Sequence, residues 1–513
     1  MIRSNSARAT MTVAAIVVAL VVSHTIANAQ VDTIPGVRTP VVTTTHRITI
    51  GGKSLRYTAR AGVLPIRLNE TGEPRGYIFF VAYVVPRAPG QPARPLTFAW
   101  NGGPGSNSLL LHLDALGPRR LATTDGDGAG SGPAFEDNQA TWITATDLVL
   151  VDPIGTGFSR PASPDAADAF YSVLGDIAAT AEFIRTYRTR FDAWDAPLYL
   201  AGESYGVWRA AGAAEALERA GQRVAGTILI SGGIPLGPVA SDAMRTALFI
   251  PTRTASALYH RRLSPDLQSN PDRAIAESEA WARTVYAPAL SRIDSLTSAE
   301  RDAIAVQLAR FTGLDAALVD RKTLVIDRQF LLDHLLSTQP GISLGRFDTR
   351  QVGSAKPDPV SEARRRTLIN RYLRTELGFQ TDLVYQGLEV GYSSTPSPES
   401  VNARWRYDQG DPNQPLVIRN TDGPPGGTPL WLGRTMAIDP EMRTFVATGI
   451  YDSLNSCAAN SYAIAQLPPA EASRITFRCY VGGHMMYEDR DARLRLARDV
   501  GAFYEAPPHP PPR

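Results

Sequence analysis

Polar and apolar positions alternate early in the chain. Ile48 and Ile50, then Leu55 and Tyr57, flank Gly51-Gly52, a period of two broken by a flexible pair that predicts a hairpin. Residues 76–85 (GYIFFVAYVV) add a third run, and together the three predict an antiparallel meander. The pattern then changes to short, nearly continuous apolar runs at 95–100, 146–152, 197–201, 224–231, 444–448 and 475–481. Such runs predict strands buried on both faces of a parallel sheet. Helical stretches fall at 173–191, 207–221 and 491–504, and this β-α alternation predicts an α/β fold. The alternation stops near residue 238 and resumes near 442. The segment between is helix-prone and punctuated by Pro, with amphipathic stretches at 273–286 and 298–311, and reads as an inserted cap. The expected organisation is core at 30–237, cap at 238–424, core again at 425–505 and a Pro-rich tail at 506–513. The chain carries no internal repeats.

Composition changes this picture little. The chain has 513 residues, 43% hydrophobic and 20% charged, with a net charge of +2. That gives no electrostatic case for nucleic acid or an anionic membrane surface. The first 29 residues are set apart. Arg3 and Arg8 precede an apolar run at 11–22, and Ala27-Asn28-Ala29 supplies a small-x-small cleavage pattern before Gln30. This reads as a cleavable secretory signal, too short in its apolar run to span a bilayer comfortably. The expectation is an exported, periplasmic or extracellular protein without stable membrane association; oligomeric state is not legible. Cys457 and Cys479 are the only cysteines, and in an oxidising compartment they are a candidate disulfide.

The candidate chemistry centres on Gly202-Glu-Ser-Tyr-Gly206, directly after the apolar run 197–201 and before the Ala-rich stretch 207–221. This is a G-x-S-x-G nucleophile elbow in its strand-turn-helix context, and it makes Ser204 the candidate nucleophile. Upstream, 101–108 (NGGPGSNS) is a Gly-rich turn after a strand, where an α/β-hydrolase places part of its oxyanion hole. Gly103 and Tyr205 are the candidate N–H donors. Downstream, Asp452 follows the strand 444–448, and His484 follows the last core strand behind Gly482-Gly483. The order Ser204, Asp452, His484 is that of an α/β-hydrolase triad. His112, just past the Gly-rich turn, is the rival histidine, and Asp439, before its strand, fits the acid's place less well. Gly155 and Gly157 lack the rest of a phosphate-binding loop. Scattered histidines and two cysteines offer no metal-ligand spacing, so no cofactor or metal is expected.

Four motifs in this order resemble the serine carboxypeptidase family of α/β-hydrolases: 100–105 (WNGGPG), 152–159 (DPIGTGFS), 202–206 (GESYG) and Gly483-His484-Met485. The resemblance covers roughly 97–232 and 444–487 and is weak through the cap. It implies an α/β-hydrolase with a central, mostly parallel sheet, the elbow, and an inserted, mainly helical cap. The implied activity is removal of C-terminal residues from peptides with a free C-terminus, through an acyl-enzyme. It also implies that Asn101 and Glu203, assisted by Asp114, bind the substrate carboxylate. A carboxyl group can hydrogen-bond a carboxylate only with a proton between them, so binding should weaken as pH rises. The chain departs from the family at 106–108 (SNS) and at 231–235 (SGGIP), positions that bear on side-chain preference. The alternatives are an esterase or acyltransferase of the same fold, or a catalytically inert binding protein.

Overall fold

The computed structural model describes residues 34–122, 134–336, 341–353, 359–388, 400–408 and 430–506. The expected signal segment, all but the first residue of the expected tail, and parts of the cap lie outside them. In chain order the strands are β1 (Val41–Ile50), β2 (Lys53–Arg67), β3 (Pro74–Val84), β4 (Leu96–Trp100), β5 (Arg119–Ala122), β6 (Ala134–Asp137), β7 (Asp147–Val151), β8 (Arg160–Pro161), β9 (Leu198–Glu203), β10 (Gly226–Ile230), β11 (Arg443–Gly449) and β12 (Ile475–Tyr480).

Ten of these strands form one sheet in the order β1-β2-β3-β7-β4-β9-β10-β11-β12, with β8 alongside β3. The opening meander is antiparallel, and β3 pairs antiparallel with β7. From β7 to β12 every pairing is parallel. Side chains alternate across the sheet, as the two-residue period requires. On β3, Ile78, Phe80 and Ala82 face one core with helices Val173–Arg190 and Gly206–Arg219. Phe79, Val81 and Tyr83 face a second core closed by Leu496, Val500 and Phe503 of helix Arg490–Glu505. A third apolar cluster, including Ile250, Tyr286, Leu308 and Leu332, belongs to the cap helices.

Two features were not expected from the sequence. Strands β5 and β6 form a separate small hairpin, and residues Leu111–Leu116 form a π-helical turn carrying Asp114. Among the described residues no helix is long and apolar enough to cross a membrane.

Cys457 and Cys479 are joined, Cα atoms 6.2 Å apart, tying helix Cys457–Ala465 to the edge strand β12. The bridge spans 22 residues, for which loop-closure entropy gives about 3 kcal/mol. Replacing both cysteines with Ser should lower unfolding stability by about that amount in denaturant titrations. A shift below about 1 kcal/mol would mean the reduced chain keeps this segment closed without the bond.

Candidate active site

The parallel strands all end on one side, so the loops after β4, β9, β11 and β12 meet where α/β sheets bind ligands. At the end of β9 the chain turns so tightly that a Cβ on Gly202 would lie 1.9 Å from the Gly206 carbonyl oxygen. Ser204 itself has φ of 59°, an uncommon conformation for a side-chain-bearing residue, held here by surrounding structure. Its N–H donates to the Ile230 carbonyl (2.9 Å), and the Trp100 indole donates to the Gly206 carbonyl (3.0 Å). The turn after β4 presses against this elbow. A Cβ on Gly102 would fall 2.5 Å from the Tyr205 nitrogen, so only Gly fits. Among the described residues the N–H groups of Gly103 and Tyr205 donate to no backbone or side-chain acceptor.

His484 Nδ1 lies 2.9 Å from Asp452 Oδ2, both residues buried. Asp452 Oδ2 also accepts from Asn455 Nδ2 (2.9 Å), and Oδ1 accepts from the Leu454 N–H (2.8 Å). The His484 backbone is held from two sides: its N–H donates to the Phe347 carbonyl (2.6 Å), and its carbonyl accepts from Ser231 Oγ (2.5 Å). Burial opposes a charge on His484, but the adjacent Asp452 carboxylate more than offsets it, and the imidazole pKa is raised. No hydrogen bond joins Ser204 Oγ to His484 among the described residues. Both open on one cavity of about 490 Å³. Bonds of this kind often tighten only when substrate is bound.

Asn101, Gly103 and Glu203 line the same cavity. Glu203 is 3% exposed, and its carboxylate accepts from the Tyr487 hydroxyl (2.5 Å). Burial pushes its pKa up, with Asp452 adding to the shift and with His484, Tyr487 and Asn101 pulling against it. Asn101 Oδ1 accepts from the Leu111 N–H (3.1 Å). Its Nδ2 is close enough to act on Glu203 yet has no well-formed hydrogen bond of its own. Asp114 does not line the cavity. It reaches it through Arg365, 3.1 Å away, because the π-helical turn carries it into the protein.

Buried polar contacts fix this geometry from behind. Arg209, on the elbow helix, donates from Nε to Asp176 Oδ2 (2.8 Å) and from Nη1 to the Asn101 carbonyl (2.9 Å). Asp152 opens the motif 152–159, and its carboxylate accepts from the Ser108 N–H and hydroxyl (2.8 Å each) and from the Tyr385 hydroxyl (2.7 Å). Gly157, at φ 51°, packs onto that carboxylate. The motif therefore braces the Gly-rich turn rather than offering a ligand site. His112 lies away from the cavity, bonded to the Tyr83 hydroxyl (2.5 Å), with burial lowering its pKa to about 3. Asp439 pairs with Arg223 (2.9 Å). Asn455, Phe347 and Arg209 carry no sequence motif that would have marked them, and Ser231 stands out only as the start of the divergent segment 231–235. Their roles depend on contacts between segments far apart in the chain.

The sequence model of the serine carboxypeptidase family matches residues 66–248. The pheromone-processing carboxypeptidase KEX1 of Komagataella phaffii is 31% identical over 159 residues, 29% of this chain and 22% of that protein. Serine carboxypeptidase-like 50 of Arabidopsis thaliana is 32% identical over 149 residues, 28% of this chain and 31% of that protein. The matched segments thus span less than a third of these relatives. The crystal structure of Kex1Δp, a prohormone-processing carboxypeptidase of Saccharomyces cerevisiae, superposes with a TM-score of 0.51 at 15% identity, covering 87% of this chain and 91% of that one. The fold is that of an α/β-hydrolase, and the resemblance to serine carboxypeptidases is borne out.

Proposed function

We propose that the chain is an exported serine carboxypeptidase, cleaving the last residue from peptides with a free C-terminus. Ser204 Oγ attacks the scissile carbonyl while His484 takes its proton, and Asp452 holds the imidazole in the required tautomer. The N–H groups of Gly103 and Tyr205 stabilise the oxyanion. His484 then protonates the leaving amino acid, and water releases the acyl group by the same steps in reverse.

The observation that carries the peptidase reading is Glu203, a buried carboxyl with raised pKa beside Asn101, in the cavity that Ser204 and His484 share. A generic esterase has no need of an acid there. In this reading a proton on Glu203 lets it hydrogen-bond the substrate carboxylate with Asn101, and Asp114 contributes only through Arg365. The test compares an N-blocked dipeptide acid with its C-terminal amide from pH 4 to 8. Activity confined to the acid supports the reading. Equal turnover of acid and amide, or turnover of simple esters alone, favours the esterase or acyltransferase alternative. Failure of a fluorophosphonate probe to label Ser204 would favour an inert binding protein.

The pH profile follows from the two shifts. As pH rises through the raised pKa of Glu203 its proton is lost, so KM for the free acid rises. As pH rises through that of His484 the base becomes neutral, so kcat rises. Glu203→Gln keeps a donor that does not titrate. Its KM should be flat with pH, and its kcat/KM relative to the parent should climb by about tenfold per pH unit above the Glu203 pKa. A ratio constant across the range would exclude Glu203 from carboxylate binding.

A further inference from the structure

One wall of the catalytic cavity comes from the cap, and it is cationic. Helix Pro359–Arg371 turns Glu362, Arg365, Arg366 and Ile369 toward the cavity, a spacing of i, i+3, i+4 and i+7 that defines one helical face. Arg346 joins them from the segment that also hydrogen-bonds the catalytic histidine, and its charge acts directly on His484. Of these three cations Arg365 is engaged by Asp114. Among the described residues no ion pair takes Arg346 or Arg366. Among the described residues Glu362 and Glu203 are the carboxyl groups lining the cavity, and burial favours the neutral form of Glu203. The rest of the lining combines the apolar Leu109, Leu388, Leu454 and Met485 with the neutral polar Asn101, Ser106 and Asn107 beside the catalytic pair. A cavity of this kind receives a side chain with an apolar stem and an anionic tip.

We propose, building on the carboxypeptidase reading, that Arg346 and Arg366 are specificity-determining residues selecting peptides with an acidic side chain beside the scissile bond. The guanidinium fork suits a carboxylate bidentately, and an amide of the same shape lacks the charge. An uncharged isostere should therefore be handled much less well, and a basic side chain worst of all.

The test uses N-blocked dipeptide acids paired as Glu against Gln at the last and the penultimate position. A kcat/KM ratio of at least about tenfold for Glu over Gln at one position is expected. It should shrink at 1 M salt, where partly exposed charges are screened. Arg346→Gln and Arg366→Gln should each reduce the ratio. A ratio near one at both positions, a preference for Lys, or a ratio untouched by both substitutions overturns the proposal. The Kd values of Ser204→Ala for the same pairs read the wall without cleavage. If the parent cleaves no free-acid peptide, the carboxypeptidase reading falls, and equal Kd values for Glu and Gln would separately overturn the role of the arginines.

Discussion

Ser204→Ala is expected to lower kcat/KM by about 10⁴-fold to 10⁶-fold, and replacing Ser204 and His484 together is expected to cost no more than replacing Ser204 alone. The two act as a unit: without the nucleophile a base has no proton to take. What remains comes from binding and from the N–H groups of Gly103 and Tyr205. Asp452→Asn should cost about 10⁴-fold although it changes the side chain by one atom. Asp452 Oδ2 accepts from both His484 Nδ1 and Asn455 Nδ2, and Oδ1 accepts from the Leu454 N–H. An amide NH₂ in either orientation therefore meets a donor. Turned toward His484, it forces the ring proton onto Nε2, leaving no acceptor for the Ser204 hydroxyl. Asn455→Ala removes the supporting bond to Asp452 Oδ2 and the bond to the Ser231 carbonyl (2.9 Å each) and should cost about tenfold. Steady-state rates with folding checked by circular dichroism decide this. Ser204→Ala retaining a tenth of the activity, or a double variant far worse than either single one, would remove the triad assignment.

The parts of this site written in local pattern were readable from the sequence. Parallel strands buried on both faces must be continuous apolar runs, so β4, β7, β9, β10 and β11 lay close to where those runs fell. The tightness of the elbow demands Gly202, and Gly102 follows from the same close approach, so the two loops announced themselves. Asp114 illustrates the limit. The sequence shows its place a few residues after the Gly-rich turn, but a π-helical turn aims it at Arg365, more than 250 positions later in the chain. Likewise Phe347 and Arg346 belong to the cap in sequence and to the histidine loop in space. Hairpin β5–β6 has no such local pattern, since among its described residues only Leu121 is buried and the others are half-buried or exposed.

Breaking the ion pair beneath the elbow should give the largest loss of stability. Arg209 is 1% exposed and Asp176 6% exposed, and together they join helix Val173–Arg190, the elbow helix and the end of β4. Removing one member leaves the other charge buried and unpaired, which costs about 3–5 kcal/mol. The sign with pH separates the two single variants. Burial already raises the Asp176 pKa, against the pull of Arg209. In Arg209→Met that pull is gone and the pKa rises further. The native state then binds a proton that the unfolded state has released, so stability must fall as pH rises between the ordinary carboxyl pKa and the raised one. The deficit of Arg209→Met should therefore be greater at pH 8 than at pH 5. Asp176→Asn leaves a guanidinium that stays charged throughout, so this site gives that variant's own stability hardly any change with pH. The double variant Asp176→Leu with Arg209→Met should recover much of the loss, since an apolar pair strands no charge. Its activity should stay low even where it is folded, because the Asn101 carbonyl has lost the Arg209 donor that holds the Gly-rich turn against the elbow. Urea titrations at both pH values, with kcat measured well below the unfolding transition, test the whole scheme. Single variants within about 1 kcal/mol of the parent would show that the pair does not support the fold, and a double variant as active as the parent that it does not position the turn.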